Sequence, residues 1–412
     1  MTTNDACPPA LRPIDVSPHQ AAPDEVYLIL NDRLGISPGP LALSPAAYFL
    51  AAHCDGRRTI AEIEGAFEAQ FGTAPPPGQT AALIAALDEQ CFLLSKRFEH
   101  EYAVRRDQYL AAPRRDNRAR WPAADTLRRE IAELLRSADA LSDEAPGDAG
   151  LDATKRVRGI VAPHLDYARG APCYAAAYAA LAADRPAERY VILGTNHFGR
   201  SPTVVATRKA FETPLGVVAA DVDFIAAVEQ RLGAPLCAHE FDHANEHSVE
   251  LQVHMLQVLH DGSPFEIVPV LCPDPTQSTG TQPADHPIAL DDFADVLAEI
   301  VRGSDRRTVL IAGADLSHVG QQFGDDQPTT PEFLGRVRRS DRALLDLLEI
   351  GAVEAFVDAV RQSSNATRIC SVGCLSALRR ALADARCRVV RYHQAIDPPN
   401  ETHVTCAAAI LD

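Results

Sequence analysis

RYVILGTNH, residues 189–197, is the stretch whose reading decides the fold. Its Tyr-Val-Ile-Leu run is apolar at consecutive positions, so both of its faces call for cover, and it closes on the polar pair Asn196-His197. Such a strand belongs in a sheet sandwiched between helical layers. Runs of the same kind recur on either side: RVRGIVAP (156–163), FEIVPVLC (265–272), RTVLIAGA (307–314), CRVVRYH (387–393) and VTCAAAIL (404–411). Between them lie helical patterns, among them PCYAAAYAALAAD (172–184), VDFIAAVEQRL (222–232), SVELQVHMLQVLH (248–260), LDDFADVLAEIVRG (290–303), LGRVRRSDRALLDLL (334–348) and CLSALRRALADA (374–385). The alternation predicts an α/β domain over 156–412, its sheet covered by helices on both faces.

In such sheets ligands gather beyond the carboxyl ends of the strands. Polar chemistry stands at those positions here: Pro163-His164 after the first run, Asn196-His197 after the second, and Asp315 with His318 after RTVLIAGA. One histidine in a strand-to-helix loop commonly caps a helix or faces solvent. Three at successive strand ends read as a metal site, since neutral imidazole is the commonest biological metal ligand. His239, His243 and His247 recur at four-residue intervals, but Asp242 and Asn245 suit a turn, so helix is expected to begin near Asn245 with Glu246 and His247 in its first turn. Cys370 stands where the loop SSNATRI gives way to a helix, a position that favours a thiolate, whereas Cys374 reads as a buried helical residue.

The N-terminal third is organised differently. Residues 1–25 read as a flexible arm, and 26–98 as a small winged-helix-like α+β domain. In it VYLILND supplies a strand, Thr59 and Glu62 a capping box before a stop at Gly72, and CFLLSKRFE (91–99) a closing strand. The order resembles the PqqD-like domains that recognise peptides, which implies a peptide or protein partner for this part. Residues 99–155 form a charged helical connector.

Composition narrows the function classes. The 412 residues carry 39 Lys and Arg against 56 Asp and Glu, a net charge of −17, which argues against a nucleic-acid partner. No run of about eighteen apolar residues occurs, and the start MTTNDACPPALRPIDVSP lacks a secretory pattern, so neither membrane nor export is expected and the protein is placed in the cytoplasm. The ten cysteines are scattered rather than arranged as a disulfide framework.

PHLDY (163–167), VILGTNH (191–197), TPLG (213–216), NEHSVELQVHMLQ (245–257), ADLSH (314–318) and RIC (368–370) follow in the order seen in the Memo family, whose prokaryotic members are called AmmeMemoRadiSam system protein B. The resemblance covers about 156–412. It implies the fold of the class III extradiol dioxygenases, in which two histidines and a carboxylate hold Fe(II). By that resemblance His164, His197 and Cys370 are metal ligands, His318 is a further active-site histidine, and Glu246 and His247 line the same cleft. Asp315 either enters the cleft or orients a ligand. A thiolate among the ligands keeps Cu and Zn open beside Fe(II). The implied activity is a non-haem iron oxygenase acting on a small or peptide-linked substrate; a zinc hydrolase and a metal- or peptide-binding protein without turnover stay open. Two departures stand out. Asp166 replaces the glycine of the usual PHAGY, as ligand, second partner of His164 or surface residue, and HMLQ stands where the family more often has Pro-Phe.

Overall fold

The computed structural model describes residues 7–22, 25–137, 156–276, 288–398 and 401–412. The chain divides into two compact units, Met1–Ala112 and Pro113–Asp412.

In the first unit, strands β1 (Asp15–Ala22), β2 (Glu25–Asn31) and β3 (Leu41–Leu43) form an antiparallel three-stranded sheet. Helices α1 (Pro45–Ala52), α2 (Ile60–Phe71), α3 (Gln79–Glu89) and α4 (Lys96–Ala111) follow. Leu30, Leu43, Leu50, Ile63, Leu87 and Phe92 share one apolar core. The capping box of α2 forms as its residues predict: Thr59 Oγ1 accepts from the Glu62 amide, Glu62 accepts from the Thr59 amide, and Gly72 ends the helix in the left-handed region at φ 75°. Two expectations are corrected. Residues 15–22, expected in a flexible arm, pair with β2, and the closing strand expected at 91–99 does not form. Leu93 makes a single bridge to Leu11, and then Ser95 caps α4 by accepting from the Phe98 amide at 3.3 Å. That cap commits the following residues to helix.

The second unit opens with β4 (Arg114–Asp116) and α5 (Ala124–Ser137). Next come β5 (Gly159–Ala162), α6 (Tyr167–Ala182), β6 (Arg189–Thr195), β7 (Val205–Ala206), β8 (Ala210–Thr213), β9 (Gly216–Ala220), α7 (Val222–Leu232) and α8 (Glu250–His260). The chain continues through β10 (Glu266–Cys272), α9 (Leu290–Arg302), β11 (Thr308–Gly313), β12 (Asp315–Val319), α10 (Pro331–Glu349), α11 (Val353–Gln362), α12 (Val372–Ala381), β13 (Cys387–Ala395) and β14 (His403–Leu411). The 11-stranded sheet runs β12-β14-β5-β11-β6-β10-β9-β8-β4, with β13 added on β14 and β7 on β10. At its centre β5, β11, β6 and β10 are parallel, so their carboxyl ends open on one side.

Period-two alternation distributes the core between the two faces. On β6, Val191 and Leu193 join one apolar cluster while Tyr190 and Ile192 join the other; on β11, Leu310 and Ala312 part from Val309 and Ile311 in the same way. Helices α7, α9, α10, α11 and α12 supply the first cluster, and α5, α6 and α8 the second. The central strands are thus buried on both faces, as their unbroken apolar runs require. Among the described residues no helix is long and apolar enough to cross a membrane.

Candidate metal centre

His164 follows the end of β5 by two residues, and the turn is closed by Asp166, which accepts from the Arg169 amide at 3.1 Å and caps α6. Asp166 also pairs with Arg169 at 2.6 Å on the exposed surface, so of its three readings the surface one describes its contacts. The His164 ring is 3% exposed. Its Nδ1 lies 2.8 Å from the carbonyl of Gly313 at the end of β11, so Nδ1–H donates there and Nε2 is turned toward Cys370 Sγ, with which it hydrogen-bonds at 3.3 Å. Asp315 accepts from the His164 amide at 3.1 Å, and its other oxygen is 3.5 Å from Nε2.

His197 follows β6 in the same way. Asn196 Oδ1 accepts from the Gly199 amide at 2.9 Å, an Asx-type turn that Asn196 Nδ2 ties to Asp242. A Cβ on Gly199 would stand 2.2 Å from both side chains, so only glycine fits. Glu246 accepts from the His197 amide at 2.9 Å and from its Nδ1 at 3.1 Å. The other side of the ring is thereby left for Cys370, with which it also hydrogen-bonds.

Cys370 arrives from a loop in which Ser364, Asn365 and Arg368 have φ of 53°, 47° and 57°. Left-handed non-glycine residues cost about 1–2 kcal/mol each. The loop is held open by the Asn365 side chain, which accepts from the Ile369 amide at 2.8 Å and donates to its carbonyl at 2.9 Å. Ser371 next door accepts from the Asp315 amide at 3.0 Å and lies 3.2 Å from Thr195 Oγ1, tying this loop to two strand ends. The ligand atoms of His164, His197 and Cys370 all fall within 4.8 Å of one another.

Burial opposes a thiolate at Cys370, but the imidazoles of His164 and His318 and hydrogen bonds from His164 and His197 outweigh it and hold the thiol well below its usual range. Burial also opposes charge on His164, yet Asp315 and Cys370 push it up to about 9. For His197, Glu246 and Cys370 likewise overcome burial and raise it, while Glu246 itself is held well below the carboxylate range. An anionic sulfur and two imidazoles with fixed outer nitrogens is the donor set that a soft or borderline divalent cation takes up with release of protons.

The remaining expected residues divide. His247 stacks on His197 with ring centroids 5.0 Å apart and lies 5.6 Å from His164, partly exposed. His197, Glu246 and His247 form a second group of donors within 4.8 Å. Glu246 and His247 are not in the first turn of α8, as expected; that helix begins at Glu250, because the Glu246 carboxylate accepts from the amides of His247 and Ser248 at 2.8 and 2.9 Å and holds the backbone in an open turn. His318, on β12, is outside the ligand cluster. Its Nδ1 sits 3.0 Å from the Leu316 carbonyl and 3.1 Å from that of Arg368, and its charge still reaches Cys370 and Asp315. A cavity of about 660 Å³ opens beside the cluster, bounded by Asn196, His197, Asp274, Arg368 and Cys370. Sequence reasoning missed Ser371, Asn365 and the Gly313 carbonyl. Only the Asn196-to-Gly199 turn had a local signal.

His243, the middle of the four-residue repeat, is a core residue. Its Nε2 lies 3.1 Å from the Val205 carbonyl, and burial pushes it down to about 3. The unfolded chain binds a proton there near pH 6.5 and the folded chain does not, so stability falls as pH drops from 6.5 toward 3. Relative to His243→Gln, the wild type should lose roughly 1.4 kcal/mol per pH unit in that window, read from urea unfolding at each pH. Parallel slopes for the two proteins would show that His243 is charged when folded.

An α/β protein with an imidazole–thiolate cluster beyond its central strand ends is the class that this fold and site define. The family model for Memo-like protein matches residues 126–410, well over half of the sequence, and the chain belongs to that family. It is similar to a MEMO1 family protein of Aquifex aeolicus, 24% identical over 342 residues and 83% of each chain. A Thermus thermophilus member is 25% identical over 359 residues, 86% of this chain and 99% of the relative. One from Methanopyrus kandleri is 37% identical over 216 residues, 49% of this chain and 71% of the relative.

Proposed function

We propose that this Memo-family chain is a metalloprotein whose His164–His197–Cys370 centre takes Fe(II) and serves an oxygenase acting on a small or peptide-linked substrate. One observation carries the reading. Each histidine has its Nδ1 engaged by an acceptor, Gly313 or Glu246, which leaves the opposite nitrogen beside the Cys370 sulfur. Two oriented imidazoles and one anion on a single face fit a non-haem Fe(II), which when bound would supply open positions for O₂ and a chelating substrate.

The chain's own groups do the rest. Glu246 and the Gly313 carbonyl hold the two rings in their ligating tautomers. His247, partly exposed and stacked on His197, can take a proton from a substrate hydroxyl that reaches the cluster. His318, anchored through Nδ1 to the carbonyls of Leu316 and Arg368, is held in a fixed orientation beside the cluster. Asp315, buried beside His164 with its carboxyl pushed up by that burial, offers a second site of protonation. A reducing compartment, the cytoplasm, belongs to this reading, because all ten cysteines are free and Cys370 ligates only as a thiolate. The N-terminal unit, four helices after a small sheet whose β1 pairs only with β2 among the described residues, is read as the part that meets a peptide or protein partner.

The thiolate favours a second reading, a copper-binding protein without turnover. Anaerobic purification, metal analysis and O₂ uptake with catechols and peptides separate the two. The oxygenase predicts one iron per chain and substrate-dependent uptake. Tightly held copper with no uptake for any substrate would sink it.

A further inference from the structure

Four consecutive carbonyls, those of His243, Ala244, Asn245 and Glu246, are each met by a side chain from residues 115–120. Arg115 Nε donates to His243 O at 2.7 Å and its Nη2 to Glu246 O at 2.6 Å. Asn117 Nδ2 donates to Ala244 O at 3.0 Å, and Arg120 Nη1 to Asn245 O at 3.0 Å. His243 ends a short 3-10 turn and residues 244–249 belong to no helix or strand, so these carbonyls have no ladder of their own. An outside segment satisfies them.

Arg115 is the centre of this arrangement. It is 1% exposed, with its guanidinium carbon 4.6 Å from the centroid of the Phe211 ring and its Nη2 3.1 Å from the Glu250 carboxylate. β4 lies parallel to β8 with Arg115 opposite Phe211, and along β4 Arg114 and Asp116 are exposed while Arg115 is buried. The strand therefore delivers a single inward side chain. Burying a guanidinium is costly unless hydrogen bonds and an opposite charge meet it, and here two carbonyls and a carboxylate do.

The loop so gripped is the one that orients His197. On its other side the Glu246 carboxylate collects the amides of His197, His247 and Ser248 and the Nδ1 of His197. The brace holds the carbonyl side of the loop and the carboxylate its amide side. We propose that Arg115, assisted by Asn117 and Arg120, is a positioning residue for the metal centre, fixing Glu246 and through it the direction and tautomer of His197. The brace lies before residues 126–410, the stretch that the family model matches. The proposal rests on the metal-centre reading.

The test is a Co(II) titration of the full chain, followed by the thiolate-to-cobalt charge-transfer band and the ligand-field bands. Arg115→Met combined with Glu250→Gln removes both buried charges together, so no orphan ion is left. With circular dichroism unchanged, this variant should bind Co(II) about 10- to 100-fold more weakly, the range for outer partners of metal ligands, and its ligand-field bands should shift. Arg115→Lys should not restore either, since a point ammonium lacks the fork that spans two carbonyls. Wild-type affinity and bands in the folded double variant would overturn the proposal. Should that variant fail to fold, Asn117→Ala with Arg120→Gln decides: weaker Co(II) binding with shifted bands supports the brace, and unchanged binding and bands overturn it. A wild-type chain that binds no Co(II) overturns the metal reading itself, a different result from either.

Discussion

Cys370→Ala should lower affinity for Co(II) or Zn(II) by more than a hundredfold, while Cys374→Ala changes it by less than about threefold. Structural zinc is held with about 10–16 kcal/mol through four ligands, so one ligand is worth roughly 3 kcal/mol, a factor above a hundred. Cys370 faces His164 at 3.3 Å as a thiolate in the donor cluster. Cys374, one helical turn on, is 1% exposed with its sulfur 3.5 Å from Thr195 Oγ1, and burial raises its thiol well above the usual range. Its replacement should cost about 1 kcal/mol of stability for the small void it leaves. Competition with a chromophoric chelator measures both affinities. Equal losses from the two variants would mean that the cysteines act as one unit rather than as ligand and filler.

Gly373→Ala should be the most damaging single-methyl change near the site. A Cβ there would stand 2.0 Å from the Pro273 carbonyl and 3.2 Å from Cys272 Cβ, backbone and core atoms that cannot swing aside. Helix α12 would have to back away from the end of β10, carrying Cys370 with it. Overpacking of this kind costs typically 1–3 kcal/mol, and a clash with backbone belongs at the upper end, about 3 kcal/mol. Metal affinity should fall together with the unfolding midpoint. Gly65→Ala within α2 is the control: nothing lies within 4 Å of its Cβ, so a gain of about 0.5–1 kcal/mol is expected from helix propensity alone. A neutral Gly373→Ala would mean that the start of α12 is loosely seated.

The legible part of the fold was the part that buries apolar runs. β5, β6, β10, β11 and β14 announce themselves through Val, Ile, Leu and Ala in continuous stretches. β12 does not, because Asp-Leu-Ser-His-Val carries polar side chains on a strand paired on one side with β14. β4 was hidden for the opposite reason. In PRRDNRAR every cue points to a solvated charge run, and only tertiary structure shows that Arg115 is enclosed. Within the site, His164, His197 and Cys370 were readable from their place at strand and helix ends together with the family's motif order. What orients them was not: the Gly313 carbonyl is backbone, and the grip of Asn365 on Ile369 depends on a left-handed loop that no local motif encodes.

The neighbours of β5 set a schedule for the whole domain. The strand that carries His164 lies between β11 and β14, and β14 is the last strand of the sheet to be synthesised. At ribosomal rates of roughly 5–20 residues per second, His164 emerges on the order of tens of seconds before the strand that will flank it. Both histidines are therefore exposed on the nascent chain while their cysteine partner and half of their scaffold do not yet exist. The three side chains can converge only after Cys370 has emerged, late in synthesis. Their convergence couples β5, made early in the domain, to the strand made last.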